Sequence, residues 1–236
     1  MHTSAKYIIL RELELFSSLS DQELTRLANA SSHEKVSKNK TIYQIGSKSE
    51  FVYVIEKGSI KSGAYSTEGK ILIKELYYEG DLFGENIFSG QASRSDFAES
   101  MTESRYFKID ADVFRDIVSK NPLFARQIIE LVIRRMSAME ERLQSFVFKK
   151  AKTRIAEFIF RTGIRKGIKI GVDECLIHHG MSHREIAYLT DTSRQTVARV
   201  LNELKKENLI HYGARKCSKI LVRNMEGLQG YEALSA

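Results

Sequence analysis

The strongest constraint on the fold lies between Thr41 and Ile109. Short runs of alternating apolar and polar residues recur there (Thr41 to Ile45, Phe51 to Ile55, Ser59 to Tyr65, Ile71 to Leu76, Arg105 to Ile109), with glycines 46, 58, 69, 80 and 84 between them. A period of two puts successive side chains on opposite faces of a strand, and glycine supplies the backbone freedom of tight turns. Strands of about five residues at intervals of about ten predict an antiparallel sandwich or barrel. Ahead of this region, residues 5–31 read as helical, with Leu13, Leu15, Phe16, Leu19, Leu24 and Leu27 apolar and Ser20-Asp21 heading the later part.

The only proline, Pro122, follows Asn121. That order suits an N-cap and the first position of a helix, where the missing N–H costs nothing. Beyond it Ile129, Val132, Met136, Met139, Leu143 and Phe146 fall at alternating steps of three and four. Such a seam predicts pairing of two copies in a parallel coiled coil. The alternative is a stripe that packs on the chain's own β domain.

Charge divides the chain. Residues 1–148 hold 20 Lys and Arg against 21 Asp and Glu, whereas residues 149–236 hold 17 against nine, so the formal +7 belongs entirely to the C-terminal part. That part begins with a helix over Ala151 to Thr162, with Ile155, Ala156, Phe158 and Ile159 inward. From Met181 to Ile210 two short helices follow, joined by a tight turn. Ser182 and Glu185 form a capping box for the first, and Val197, Val200, Leu201 and Leu204 give the second one buried stripe. Arg194, Gln195 and Arg199 project from its other face, where guanidinium and amide groups suit bases in the major groove. Ser182, His183, Ser193 and Thr196 are placed to meet the DNA backbone. Ile210 to Tyr212 and Lys219 to Val222 bracket a charged turn and read as a β-hairpin wing, bringing Arg215, Lys216 and Lys219 to phosphates. An ordinary helical hairpin with solvated charges is the plainer alternative.

Other classes fit poorly. No phosphate-cradling glycine loop, nucleophile elbow or zinc-binding helix appears, so no enzyme is expected. Cys175 and Cys217 lack partners at metal or redox spacing and read as free thiols in a reducing cytoplasm. His178-His179 reads as a pair of surface loop residues within reach of phosphate and not as metal ligands. Apolar runs are too short to span a membrane, and no long basic amphipathic helix supports membrane-surface binding. The sequence thus divides into an N-terminal region of helices and strands (1–120), a long helix (121–148) and a basic winged helix-turn-helix domain (149–236), an α+β chain.

IYQIGSKSEFVYVIEKGSIK (from Ile42), EGDLFGE (Glu79 to Glu85), AKTRIAEFI (from Ala151) and SRQTVARVLNELKKENLI (Ser193 to Ile210) together resemble the Crp–Fnr family of bacterial transcription factors over nearly the whole chain. The resemblance implies a cyclic-nucleotide-binding-type β-roll (jelly roll), a dimerisation helix and a winged helix-turn-helix. It implies a homodimer on a near-palindromic operator in double-stranded DNA, with RNA polymerase as a further partner. A β-roll that regulates another protein is the competing function. Relatives usually carry Glu where this chain has Gln195. Glutamate accepts from cytosine whereas glutamine pairs with adenine, so the half-site should depart from the family's at one base pair. Gln195 could instead close a capping box to Thr192 or contact phosphate.

The same resemblance assigns an effector pocket to Gly84, Glu85, Arg94, Ser95, Met139 and Glu140, with a glycine-glutamate pair for ribose and an arginine-serine pair for a cyclic phosphate. Cyclic nucleotide is one candidate effector; another ligand, or none, is the other. Three departures count against the nucleotide: the Glu85–Arg94 segment is one residue shorter, Asp96 stands beside Arg94, and Met139-Glu140 replaces a hydroxyl pair. Glu85 and Arg94 could pair with each other in a degenerate pocket. Iron–sulfur members need several N-terminal cysteines, and the first here is Cys175, so no cluster is expected. Haem is not expected either, since no His or Cys lies between His33 and Cys175.

Overall fold

A computed structural model of the protein describes residues 3–69, 71–212 and 219–232, and divides the chain into two units, Met1–Ser137 and Ala138–Ala236. The first unit opens with helices α1 (Thr3–Glu12) and α2 (Asp21–Asn29), separated by a 3-10 turn at Glu14–Phe16. The N-cap of α2 is Ser20, whose hydroxyl accepts from Glu23 N while the Glu23 carboxylate accepts from Ser20 N. Eight strands follow: β1 (Ser31–Val36), β2 (Thr41–Tyr43), β3 (Phe51–Lys57), β4 (Ser59–Tyr65), β5 (Ile71–Tyr78), β6 (Leu82–Phe83), β7 (Phe97–Ser100) and β8 (Ser104–Asp110). They form two antiparallel sheets, β1-β8-β3-β6 and β2-β7-β4-β5. Helices α3 (Ala111–Lys120) and α4 (Pro122–Phe148) complete the unit and lead out of it.

Period-two alternation decides what fills the roll. On β3, Val52 and Val54 pack with Phe107 and Ile109 of β8 against Leu10, Phe16, Leu24, Phe114 and Phe124 of the helices. Tyr53 and Ile55 face the other way, into a cluster with Tyr43, Ile60, Tyr77, Phe83 and Tyr106 drawn from both sheets. β3 is therefore buried on both faces, which accounts for its apolar run FVYVI. Burying each such side chain contributes about 1.5–3 kcal/mol.

Helix α4 starts as expected: Asn121 Oδ1 accepts from Phe124 N at 3.0 Å. Its buried stripe is Phe124 and Ile128, with Leu131 partly buried. The heptad seam lies elsewhere on the helix. Ile129, Val132 and Met136, in the first unit, are between 43% and 58% exposed, so they are not the residues that pack on its β-roll, and Met139 and Leu143, in the second unit, are exposed as well. Phe146 differs. It is half-buried, with the Arg142 and Arg154 guanidiniums 5.2 and 5.8 Å from its ring.

The second unit holds α5 (Ala151–Lys166), β9 (Ile168–Lys169), β10 (Cys175–His178), α6 (His183–Leu189), α7 (Arg194–Lys206), β11 (Ile210–His211), β12 (Lys219–Val222) and α8 (Met225–Gln229). The wing hairpin is β11 with β12, pairing Ile210 with Val222. It belongs to a four-stranded sheet, β11-β12-β10-β9. The surface loop expected at His178-His179 is corrected in part. His178 closes a strand opposite Lys219, and His179 is buried, its Nδ1 accepting from Met181 N at 3.1 Å. Cys175 is a buried free thiol 3.6 Å from Gly163 O. Among the described residues no helix is long and apolar enough to cross a membrane.

Candidate nucleic-acid interface and ligand pocket

The helix pair is set by local hydrogen bonds. Ser182 Oγ accepts from Glu185 N at 3.3 Å and Glu185 Oε2 accepts from Ser182 N at 2.9 Å, the expected capping box. The chain leaves α6 through Asp191, whose φ of 47° is left-handed, a conformation Asp tolerates better than most residues. Ser193 then caps α7, its Oγ accepting from Thr196 N at 3.0 Å and lying 2.9 Å from the Thr196 hydroxyl. A capping box from Thr192 to Gln195 is therefore not what starts this helix. Ile186, Ala187 and Leu189 of α6 and Val197, Val200, Leu201 and Leu204 of α7 are buried. Among the described residues, that leaves Arg194 and Gln195 exposed, their side chains without a hydrogen bond or ion pair inside the chain. Arg199, also exposed, is held by Glu203 at 2.8 Å. Lys152 of α5 reaches the same carboxylate at 3.3 Å.

His183 begins α6. Burial first, and then the charge of Arg194, hold its imidazole below the ordinary histidine pKa, and Nε2 is buried without a hydrogen-bond partner. Lys219 is exposed at the head of β12. Arg215 and Lys216 lie outside the described residues.

One residue of this site was not singled out from the sequence. Arg154 of α5 donates from Nε to Thr190 O at 2.8 Å, from Nη2 to Asp191 O at 2.7 Å and from Nη1 to Lys149 O at 2.7 Å. A single planar fork thus satisfies the end of α6, the left-handed turn residue and the joint between α4 and α5, a geometry lysine cannot copy. Its signal was its place in AKTRIAEFI, but which carbonyls it meets depends on tertiary structure.

In the first unit, Gly84 adopts φ 81°, and a Cβ there would lie 2.8 Å from Arg94 Nη1. Arg94 is 2% exposed; Nη1 donates to Gly84 O at 2.9 Å and Nη2 donates to Phe51 O. Its guanidinium carbon sits 4.3 Å from the Tyr43 ring centroid and 5.6 Å from that of Tyr53. Glu85 does not pair with Arg94, as one sequence expectation had it. It meets Arg135 of α4 at 2.5 Å, and Arg135 also donates to Leu82 O at 2.5 Å. Asp96 is 6% exposed, and burial raises its pKa. Ser95 is exposed and accepts from Asn86 at 3.3 Å. Met139 and Glu140 lie on α4 past Ser137, in the second unit, and are exposed. Among the described residues, buried atoms here without a hydrogen-bond partner include Tyr43 Oη, Glu85 Oε2, Asp96 Oδ1 and Arg94 Nε.

Comparison with known proteins agrees with both halves. The family model described as a cyclic nucleotide-binding domain matches residues 33–121, and that described as a Crp-like helix-turn-helix domain matches residues 153–231. The CRP-like cAMP-activated global transcriptional regulator of Mycobacterium tuberculosis is 24% identical over 188 residues, 80% of this chain and 82% of the relative. The cAMP-activated global transcriptional regulator CRP of Salmonella typhimurium is 28% identical over 185 residues, 78% of this chain and 87% of the relative. Among solved structures, FixK2 from Bradyrhizobium japonicum superposes with a TM-score of 0.75 at 20% identity, covering 85% of this chain and 96% of that one, a likeness of fold. The chain belongs to the Crp–Fnr family of transcription regulators, whose named relatives here are regulators and not enzymes.

Proposed function

We propose that the protein is a homodimeric regulator that reads a near-palindromic operator with the first two turns of α7, pairs through the exposed seam of α4, and acts on RNA polymerase at promoters. The carrying observation is the division of α7: one face is fully buried, while Arg194, Gln195 and Arg199 stand exposed on the other. Arg194 and Arg199 are suited to guanine, Gln195 to adenine. Arg199 reaches a base by giving up or sharing Glu203. Ser182, His183, Ser193, Thr196 and Lys219 serve phosphates, the serines with hydroxyls already accepting main-chain bonds. Two copies related by a two-fold axis place their half-sites about 34 Å apart. The β-roll is the input domain.

Selection of bound sequences from random duplex DNA tests this reading. Wild type should enrich an inverted repeat, and Gln195→Glu should change the preference at one symmetric base pair, towards cytosine on the contacted strand. Identical sites for both proteins would remove Gln195 from base reading. A single unrepeated site would remove the dimer.

A further inference from the structure

In the β-roll, the arginine at the position matched to the family's cyclic-phosphate site is held by the chain's own carbonyls. Each terminal nitrogen of Arg94 is committed to a main-chain carbonyl, one on β3 and one in the turn after β6. Its flat face lies against Tyr43 of β2, so one guanidinium ties together elements of both sheets. Turning both terminal nitrogens onto a phosphate would compete with these two bonds, of which the one to the buried Gly84 carbonyl is the costlier to lose. Tyr43, Tyr53, Tyr77 and Phe83 fill the space beside it, with neighbouring ring centroids 4.8 to 5.5 Å apart. Two of the unpartnered buried atoms among the described residues here, Glu85 Oε2 and Asp96 Oδ1, are carboxyl oxygens. A cyclic phosphate brings further acceptors and a negative charge towards two carboxylates.

The link to the long helix is also made from within the chain. Glu85, next to the glycine that receives Arg94, is joined to Arg135 of α4, whose guanidinium lies 4.9 Å from the Tyr77 ring centroid. Of the residues that match the family's nucleotide pocket, Arg94 thus binds Gly84, and Glu85 is engaged by α4 through Arg135.

We propose that Arg94 is a built-in ligand that closes the β-roll, and that the protein binds its operator without any cyclic nucleotide. The inference rests on the DNA-reading function above, and the test separates the two. The purified full chain is titrated with cyclic AMP and cyclic GMP by calorimetry up to millimolar concentration. Its affinity for an operator, selected both with and without nucleotide, is then measured in the presence and absence of each. The expected result is no saturable heat and operator affinity unchanged within about twofold, whereas a ligand that switched the protein would move it roughly 5- to 150-fold. Saturable heat, or operator binding that appears only with nucleotide, overturns the proposal. Arg94→Lys keeps the charge but loses the fork, and should weaken operator binding by about tenfold or more with no restoration by nucleotide. An Arg94→Lys protein that binds operator as wild type does would overturn the closing role. Should the protein bind no specific DNA under any condition, the DNA-reading function fails, and the heats still decide whether the pocket takes a nucleotide.

Discussion

Truncation of Leu143 gives the most quantitative check on the α4 seam. Leu143 is 57% exposed in the single chain and stands between Met139 and Phe146 in the heptad order. Burying a leucine fully is worth about 1.5–3 kcal/mol, so covering the part still open contributes about 1–1.5 kcal/mol per protomer. A two-fold axis doubles this, to about 2–3 kcal/mol per dimer, which Leu143→Ala should largely remove. The dimer dissociation constant should then rise roughly 30- to 150-fold. Sedimentation equilibrium over a concentration series reads it directly. Arg134→Ala, on an exposed position of the same helix off the seam, is the control and should leave the constant unchanged. A wild type that is monomeric at micromolar concentration would refute the argument, as would a Leu143→Ala dimer as tight as the parent.

Three more outcomes follow from particular contacts. Arg154→Lys should lower stability by about 2–3 kcal/mol in urea unfolding, because at least two of three charge-assisted bonds to carbonyls are lost; an unchanged midpoint would contradict the clamp. Gly84→Ala should cost about 1–3 kcal/mol for its left-handed φ, beyond any shift forced on Arg94 2.8 Å from the new Cβ, and a stability equal to wild type would show that the turn relaxes freely. Burial and Arg194 hold the His183 pKa down in the free protein, while a DNA phosphate beside it would raise it, so binding takes up a proton. Operator affinity should therefore rise as pH falls through the raised, DNA-bound value and level off below the free-protein one. His183→Gln should flatten that slope, and an unaltered slope would assign it to another group.

What could be read from the sequence was set locally. The helix pair was legible because its caps are built within four residues, Ser182 with Glu185 and Ser193 with Thr196. Five of the eight β-roll strands announced themselves by alternation. The others did not: β1 is the polar run SSHEKV, β6 has two residues, and β7 is held between β2 and β4 by pairing remote in sequence. Helix α3 carries a local start signal in Asp110, whose carboxylate accepts from Asp112 N and Val113 N. The wing hairpin was read, but its extension by β10 and β9 was missed because the ladder runs from Cys175 to Val222, across the whole helix pair. At the expected pocket the partners of Arg94 and Glu85 could not be read from the sequence. Arg94 and Glu85 are both charged and nine residues apart, which suggested a mutual pair. Which carbonyls approach Arg94, and that Arg135 arrives from a helix 50 residues on, is fixed only by the packed roll.

The central claim, a DNA-reading helix exposed on a basic domain, is tested most directly by equilibrium binding. Fluorescence anisotropy would compare the selected operator with a scrambled duplex of equal length, across a salt series, for wild type and Arg194→Ala. Wild type should bind the operator at least about 10³-fold more tightly than the scrambled duplex, with affinity falling steeply as salt rises. Arg194→Ala should lose about 1–3 kcal/mol on the operator while its binding to scrambled DNA changes much less. Equal affinity of wild type for the two duplexes, or equal loss on both when Arg194 is removed, would contradict the account.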